Sequence, residues 1–143
     1  MRKPATCMGC PLFGDGDGFV PDEMVPGAKV TVWLQNPGRT EEMKAQPAVG
    51  ATGDDLNEKF LPRAGLTRGV DVNVCNVLRC RWTLPNGEKT NNLPSGKPLR
   101  EAVAHCRIYD RSPSSPLGAH GEESYTELGT GAGHDHNQHA NVA

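Results

Sequence analysis

Apolar residues are concentrated in two short runs that predict the strands of a sheet. Residues 29–34 (KVTVWL) are rich in β-branched side chains and are followed directly by the turn sequence QNPG. A short apolar run of this kind is typical of a buried strand. Residues 70–78 (VDVNVCNVL) carry valine at alternate positions, which is the period-two pattern of a second strand.

Two longer stretches predict helices. Residues 53–66 (GDDLNEKFLPRAGL) have acids in the first turn, Leu56 and Phe60 four positions apart and a glycine as the stop, although Pro62 weakens the last turn. Residues 97–110 (KPLREAVAHCRIYD) have proline at the start and an apolar face. That face consists of Leu99, Val103 and Cys106.

The order strand, helix, strand, helix predicts an α/β fold in which a βαβ unit forms a parallel sheet flanked by helices. Residues 1–28 are dense in glycine, proline and aspartate, as loops are. Apolar periodicity ends after the second helix, and residues 112–143 have the composition of a disordered tail. We therefore expect one structured domain over residues 1–111 and a low-complexity tail over residues 112–143.

Composition and charge narrow the class of protein. The 143 residues are 36% apolar, no apolar run approaches the ~20 residues of a membrane span, and the N-terminus lacks the apolar core of a signal peptide. We expect a cytoplasmic monomer with no membrane partner. Residues 1–111 hold all 15 Lys and Arg against 13 acids, so the body carries +2 and the tail is acidic. This charge is compatible with DNA as a partner but does not require it.

Five cysteines in a chain without secretory features favour metal or redox chemistry over disulfides. Cys7 and Cys10 form a C-x2-C pair, a weak signal alone because two ordinary thiols give the same spacing. Cys80 follows the second strand and Cys106 lies on the second helix. These four thiols suit a four-cysteine site for either an iron–sulfur cluster or zinc. Cys75 lies inside the alternating strand and is expected to be a core thiol.

Several motifs, in order over about residues 5–110, resemble the family 4 uracil-DNA glycosylases, which carry a 4Fe-4S cluster. They are CMGCPL, VTVWLQNPGRTEEMKAQPAVGATGDDL, VNVCNVLRCRW and HCRIY. The resemblance implies a uracil-DNA glycosylase-like fold and an enzyme that flips uracil out of single- or double-stranded DNA. Such an enzyme hydrolyses the N-glycosidic bond of uracil in base-excision repair.

The resemblance also implies the ligands of the cluster. Carried over motif by motif, they are Cys7, Cys10, Cys80 and Cys106, with zinc as the alternative metal. Cys75 has no counterpart in the family. The cluster is expected to be structural, clasping the ends of the domain rather than taking part in redox turnover.

The first catalytic motif of the family is a G-x-x-P-G loop after the first strand, which corresponds here to LQNPG. Pro37 and Gly38 would shape a loop whose amides approach the substrate. Gln35 stands where family 4 members commonly have Glu, and Asn36 stands where mismatch-specific glycosylases have a water-orienting Asn. Because a neutral amide cannot act as a base, the resemblance implies catalysis by positioning alone. Alone, QNPG is also an ordinary turn.

Two further positions complete the implied pocket. Asn76 aligns with the asparagine that hydrogen-bonds the uracil edge, for which an amide with one acceptor and two donors is suited; alone, it is also an ordinary strand-end residue. Ala48, in QPAVG, replaces a Phe that stacks on the flipped base. Losing that stacking is expected to cost ~1–3 kcal/mol and to impair activity.

Six basic residues flank these motifs and are candidates for phosphate contact, although each alone is equally typical of solvated surface charge. They are Arg39, Lys44, Arg79, Arg81, Lys89 and Lys97.

No counterpart of the second catalytic motif of the family, a His-Pro-Ser loop, follows Cys106. We therefore expect a chain that is shortened on its C-terminal side. The alternative function is a non-catalytic remnant that binds DNA and holds an iron–sulfur cluster or zinc. His105 is expected on the surface of its helix, and the tail histidines in a disordered segment.

Overall fold

The computed structural model describes residues 1–109 and the backbone of residues 141–142. Strands β1 (Val30–Leu34) and β2 (Val72–Asn76) pair in parallel, in register from their first residues to their last. This confirms the predicted parallel βαβ unit. The predicted second strand is shorter than residues 70–78, because Val70 lies in a turn where its N–H bonds the Thr67 carbonyl (3.2 Å).

Three short strands were not predicted. In the described part of the chain, β3 (Trp82–Thr83) and β4 (Lys89–Thr90) form an antiparallel hairpin. Strand β5 (Asn141–Val142) pairs antiparallel with the free side of β1. The remainder of the tail predicted to be disordered, and Asp110 at the end of the predicted helix, lie outside the described residues.

The α-helices of the described part are α1 (Arg39–Lys44), α2 (Ala51–Asp55), α3 (Leu61–Arg63) and α4 (Lys97–Cys106). One π-turn (Leu56–Phe60) joins α2 to α3, and 3₁₀ turns cover Ala5–Cys7 and Arg107–Tyr109. Within residues 1–109, none of these helices has the length and apolar content needed to span a bilayer.

Both faces of the sheet are buried, as is usual for parallel strands. One face packs on the helical segment 51–63 through a cluster of Val32, Leu34, Ala48, Leu56, Leu61, Val72 and Val74. The opposite face carries Trp33, Cys75 and Val77, against which Val103 of α4 packs. Cys75 is 1% exposed, which confirms the predicted core thiol.

The predicted pairing of Leu56 with Phe60 is wrong, and the π-turn is the reason. The N–H of Leu61 bonds the Leu56 carbonyl, five residues back, so Leu56 and Leu61 share the buried face while Phe60 is 40% exposed. Proline lacks an N–H, and its ring clashes with the carbonyl four residues before it in an α-helix. The wider π-turn accommodates Pro62 without ending the helix.

Helix α4 presents the predicted face to a second core cluster. Cys106 and Ala102 are buried there with Leu12, Leu78 and Cys80, and Leu99 and Val103 pack at the margin. This cluster brings the N-terminal loop, the segment after β2 and the end of α4 together. It therefore sets the distance between the segments that carry the four candidate ligands.

Replacing Gly53 with alanine is expected to destabilise the fold, although alanine is the better helix former by ~1 kcal/mol. A Cβ at Gly53 would overlap the backbone carbonyl of Ala48, which cannot rotate away. Overpacking typically costs ~1–3 kcal/mol or more. We expect a lower free energy of unfolding in urea, with Thr52→Ala in the same helix as the control. A Gly53→Ala protein as stable as the wild type would contradict this close contact.

Candidate metal centre and candidate active site

Cys7, Cys10, Cys80 and Cys106 line a single cavity, here called the cysteine cavity. Cys7 ends the first 3₁₀ turn, and the N–H of Cys10 bonds the Cys7 carbonyl (3.0 Å), which folds the C-x2-C segment into a tight loop. Cys80 lies four residues after β2, and Cys106 is the last residue of α4. The walls enclose about 270 Å³ of space free of protein atoms, counting the opening to solvent.

Among residues 1–109, no three His, Cys, Asp or Glu side chains are close enough to share one ion. A single tetrahedral zinc holds its sulfur ligands at ~2.3 Å from the metal. A polynuclear cluster places its own iron and sulfide atoms between the thiolates, so its ligands lie further apart.

Burial favours the protonated form of three thiols of this cavity, those of Cys10, Cys80 and Cys106. Burial raises the pKa of Cys80 to about 11 and that of Cys106 to about 12, and it also raises the pKa of Cys10. The charge and hydrogen bonding of Lys3 oppose this effect at Cys80. A metal that binds here must therefore displace protons from the thiols.

Polar groups also reach the sulfur atoms. The Leu12 N–H donates to Cys10 Sγ (3.4 Å), and the Tyr109 hydroxyl lies 3.4 Å from Cys7 Sγ and hydrogen-bonds the Thr6 hydroxyl. Hydrogen bonds to ligand sulfurs are one of the means by which proteins tune iron–sulfur clusters.

His105, expected on the surface of its helix, is half-buried and lines the cysteine cavity. The C-x2-C loop passes close to α4 at this point. A Cβ added to Gly9 would lie 3.9 Å from His105 Cε1. The loop thus half-covers a side chain that would face solvent on an isolated helix.

Arg79 is 1% exposed, so it cannot serve as the predicted phosphate contact. Its guanidinium forms two bonds with the carboxylate of Asp22 (3.1 and 2.8 Å) and donates to the carbonyls of Cys106 (2.9 Å) and Val77 (3.3 Å). The Arg79 carbonyl accepts the N–H of Val20 (2.7 Å). The side chain thereby joins the N-terminal loop, the end of β2 and the end of α4.

The predicted pocket residues meet at the carboxyl ends of β1 and β2. Leu34 and Asn76 are paired in register, so the loop of residues 35–38 leaves the sheet beside Asn76. Asn76 is 2% exposed, and its Oδ1 has no hydrogen-bond partner in the described part of the chain. A buried amide oxygen of this kind is rare unless something else satisfies it.

The other amide of this strand end is held by the hairpin region. Asn36 is buried, and its Nδ2 donates to the carbonyl of Asn91 (3.0 Å), which fixes the orientation of the amide group. Pro37 is buried as well, while Gln35 and Gly38 are half-buried. The structure thus brings together five of the six predicted pocket residues: Gln35, Asn36, Pro37, Gly38 and Asn76.

No family model matches the chain. A type-4 uracil-DNA glycosylase from Archaeoglobus fulgidus is 37% identical over 109 residues, which are 76% of this chain and 49% of the relative. One from Pyrobaculum aerophilum is 36% identical over 104 residues, 73% of this chain and 47% of the relative. One from Thermotoga maritima is 31% identical over 80 residues, 56% of this chain and 41% of the relative.

The chain is homologous to the type-4 uracil-DNA glycosylases. This confirms the resemblance inferred from the ordered motifs. The chain spans about half the length of the curated relatives it matches.

Ala48, which was predicted to replace a stacking Phe, is buried in the core. It is 2% exposed and packs with the apolar cluster on one face of the sheet. Its backbone has φ +48°, and the guanidinium of Arg68 donates to its carbonyl (2.6 Å) and to that of Pro47 (2.5 Å). Arg68 also forms a salt bridge with Glu23 (3.0 Å).

Glu41 links the loop of residues 35–38 to the segment that follows Ala48. This role was not predicted from the sequence. Its carboxylate accepts the N–H groups of Gly38 (3.0 Å), Val49 (2.9 Å) and Gly50 (2.6 Å). Glu41 is the third residue of α1, where a carboxylate that bonds the N-cap N–H is half of a capping box. The signal was the spacing from Gly38 to Glu41, which the reading of PG as a plain turn overlooked.

The remaining basic residues near the motifs differ in their exposure. Arg81 and Lys89 form salt bridges with Glu42 of α1, with nitrogen–oxygen distances of 3.5 and 3.2 Å. Arg39, Lys44 and Lys97 are exposed. Of the six candidates for phosphate contact, the last three are therefore the most accessible to DNA.

Glu41→Gln is expected to loosen both loops. The substitution replaces a carboxylate oxygen with an amide group whose N–H atoms face other N–H donors. Hydrogen bonds to charged groups contribute ~1.5–3 kcal/mol, and we expect a loss of stability of that order. Amide hydrogen exchange should accelerate at Gly38, Val49 and Gly50, but not in the exposed-residue control Glu58→Gln. Unchanged exchange at these three amides would contradict the proposed link.

Proposed function

We propose that this chain is a uracil-DNA glycosylase-like protein that hydrolyses the N-glycosidic bond of uracil in DNA at the carboxyl ends of β1 and β2. The observation that carries the proposal is the buried Oδ1 of Asn76 beside the 35–38 loop, which has no hydrogen-bond partner among residues 1–109. Open α/β sheets bind their ligands at this end of the strands. Homology to type-4 uracil-DNA glycosylases supplies the substrate class.

Asn76 suits the edge of uracil. Uracil presents an N–H donor at N3 flanked by two carbonyl acceptors, so an amide can accept from N3–H through Oδ1 and donate to a carbonyl through Nδ2. Cytosine presents an acceptor at N3, which leaves two acceptors facing each other. A flipped base held at Asn76 would satisfy the amide oxygen that residues 1–109 leave unpaired.

The strand-end loop offers no charged base. Gln35 and Asn36 carry amides, which can orient a water by hydrogen bonds but cannot take its proton. The Asn36 amide is fixed by Asn91 (3.0 Å), as a positioning group should be. Catalysis here would depend on orientation of the water and on backbone amides near the leaving base. We expect slow turnover in consequence.

The four cysteines fit a 4Fe-4S cluster. The lining of the cysteine cavity supplies four thiols and no carboxylate, and N–H and O–H donors reach the sulfurs of Cys10 and Cys7. Thiolate ligands are what iron–sulfur clusters require. A bound cluster would cross-link the N-terminal loop, the segment after β2 and the end of α4, which is a structural role. A single zinc ion is the alternative occupant of the four thiols.

Anaerobically purified protein is expected to contain about four irons and four sulfides per chain, as a 4Fe-4S cluster holds, and to absorb visible light. Cys80→Ala removes one ligand and should lower the iron content and the visible absorption sharply. Cys75→Ala is the matched control, because Cys75 is a buried thiol of the core outside the cysteine cavity. Colourless protein with zinc, or equal iron loss in both variants, would refute the assignment.

Release of uracil from an oligonucleotide containing one deoxyuridine is expected under single-turnover conditions. Asn76→Ala should lower the rate ~10-fold or more, since a bidentate amide–base pair contributes ~1–3 kcal/mol. Asn76→Asp should also lose activity, because it replaces the Nδ2 donor with an acceptor. Asn92→Ala, at an exposed asparagine, is the control. A rate unaffected by Asn76→Ala would refute the pocket.

A second candidate function is a DNA-binding protein that holds a cluster or zinc without catalysis. The burial of Ala48 in the core favours it, because no aromatic side chain stands at this position to stack on a flipped base. The same oligonucleotides separate the two functions. Binding measured by fluorescence anisotropy, without any uracil release, would establish the second.

A further inference from the structure

Lys3 is a buried cation with no acidic partner among residues 1–109. It is 8% exposed, its Nζ donates to the carbonyls of Leu12 (2.5 Å) and Phe13 (2.8 Å), and it lies 5.9 Å from the centre of the Phe13 ring. Over residues 1–109, no carboxylate comes within ion-pair distance of this group. Lysine is almost never so buried unless it is paired, because the desolvated charge is costly.

The ammonium group faces the cysteine cavity. Lys3 lines the cavity together with the four cysteines. The Leu12 carbonyl that accepts from Lys3 Nζ lies 3.8 Å from Cys80 Sγ. Two carbonyls use two of the three N–H groups of the ammonium, which leaves one N–H for a sulfur acceptor.

Arg79 is the other cation in the wall of the cavity, and the carboxylate of Asp22 already neutralises its charge. Its guanidinium pairs with both carboxylate oxygens of Asp22. Lys3 therefore supplies the positive charge at the cysteine cavity that no described carboxylate neutralises.

We propose that Lys3 is the counter-charge of the cluster bound at the cysteine cavity. Its ammonium group compensates the negative charge of the thiolates and holds the loop of residues 10–13 against them. The inference rests on the proposed cluster. Four thiolates around an iron–sulfide core of smaller positive charge make an anionic assembly, and a buried ammonium beside it stabilises that charge. Nothing in the sequence indicated this role, since a lysine four residues before the first ligand is an ordinary surface residue by pattern.

The sign of the electrostatic effect follows directly. The reduced cluster carries one more negative charge than the oxidised cluster, so a nearby cation stabilises the reduced form more. Removing the cation should make the midpoint potential more negative, whichever pair of oxidation states is measured. Charge near the cluster is a known determinant of its potential.

The test is redox titration of the anaerobic full-length protein, with iron content measured on the same samples. Lys3→Met keeps the length of the side chain and removes the charge, and we expect a more negative potential together with faster loss of iron in air. Lys3→Arg keeps the charge and should lie closer to the wild type in both measurements. Lys29→Met is the matched control, because Lys29 is exposed and pairs with Asp71.

The outcomes separate this inference from the proposed cluster. Wild-type protein without iron refutes the cluster, and the role of Lys3 falls with it. An iron-loaded Lys3→Met protein with the wild-type potential refutes the role of Lys3 alone. If Lys3→Met cannot retain iron, retention by Lys3→Arg supports the counter-charge. Equal loss in both variants, or a shift equal to that of Lys29→Met, overturns it.

Discussion

The buried ion pair of Arg79 and Asp22 determines where three segments of this structure meet. Two hydrogen bonds join the guanidinium to the carboxylate, and two more reach the carbonyls of Val77 and Cys106. A buried pair of this kind contributes little net stability when it is intact, but losing one partner typically costs ~3–5 kcal/mol because the other charge remains buried. The N-terminal loop, β2 and α4 are thus obliged to meet at Arg79. The next residue along the chain is Cys80, so the ion pair also positions the candidate ligands.

The candidate metal centre and the candidate pocket share one short piece of backbone. Asn76 ends β2, Cys80 follows four residues later, and every residue from 76 to 80 is buried. The N–H groups of Val77 and Leu78 bond the carbonyls of Leu34 and Gln35 (2.9 Å each), so this piece continues along the loop of residues 35–38. A cluster that fixes Cys80 would therefore also limit the movement of Asn76. This gives a structural cluster a consequence at the pocket without any part in the chemistry.

The sequence predicted the parts of the fold that depend on local pattern. Both parallel strands and the core position of Cys75 follow from the hydrophobic runs. The face of the helix at residues 53–66 was wrong, because periodicity assumes α-geometry and Pro62 imposes a π-turn. Glu41 was missed although its spacing from Gly38 is that of a capping box. Lys3 was missed for a different reason, because its partners are backbone groups brought near by tertiary structure and no side-chain pattern records them.

The segment around Ala48 shows how the fold can tolerate a residue that the chemistry disfavours. A left-handed conformation costs a residue other than glycine ~1–2 kcal/mol, and Ala48 adopts one. Arg68 holds the segment through its carbonyls, and Glu41 holds it through the N–H groups that follow. All of these contacts are to backbone, so an alanine at position 48 keeps every one of them. Low activity of this chain would therefore not imply a damaged fold.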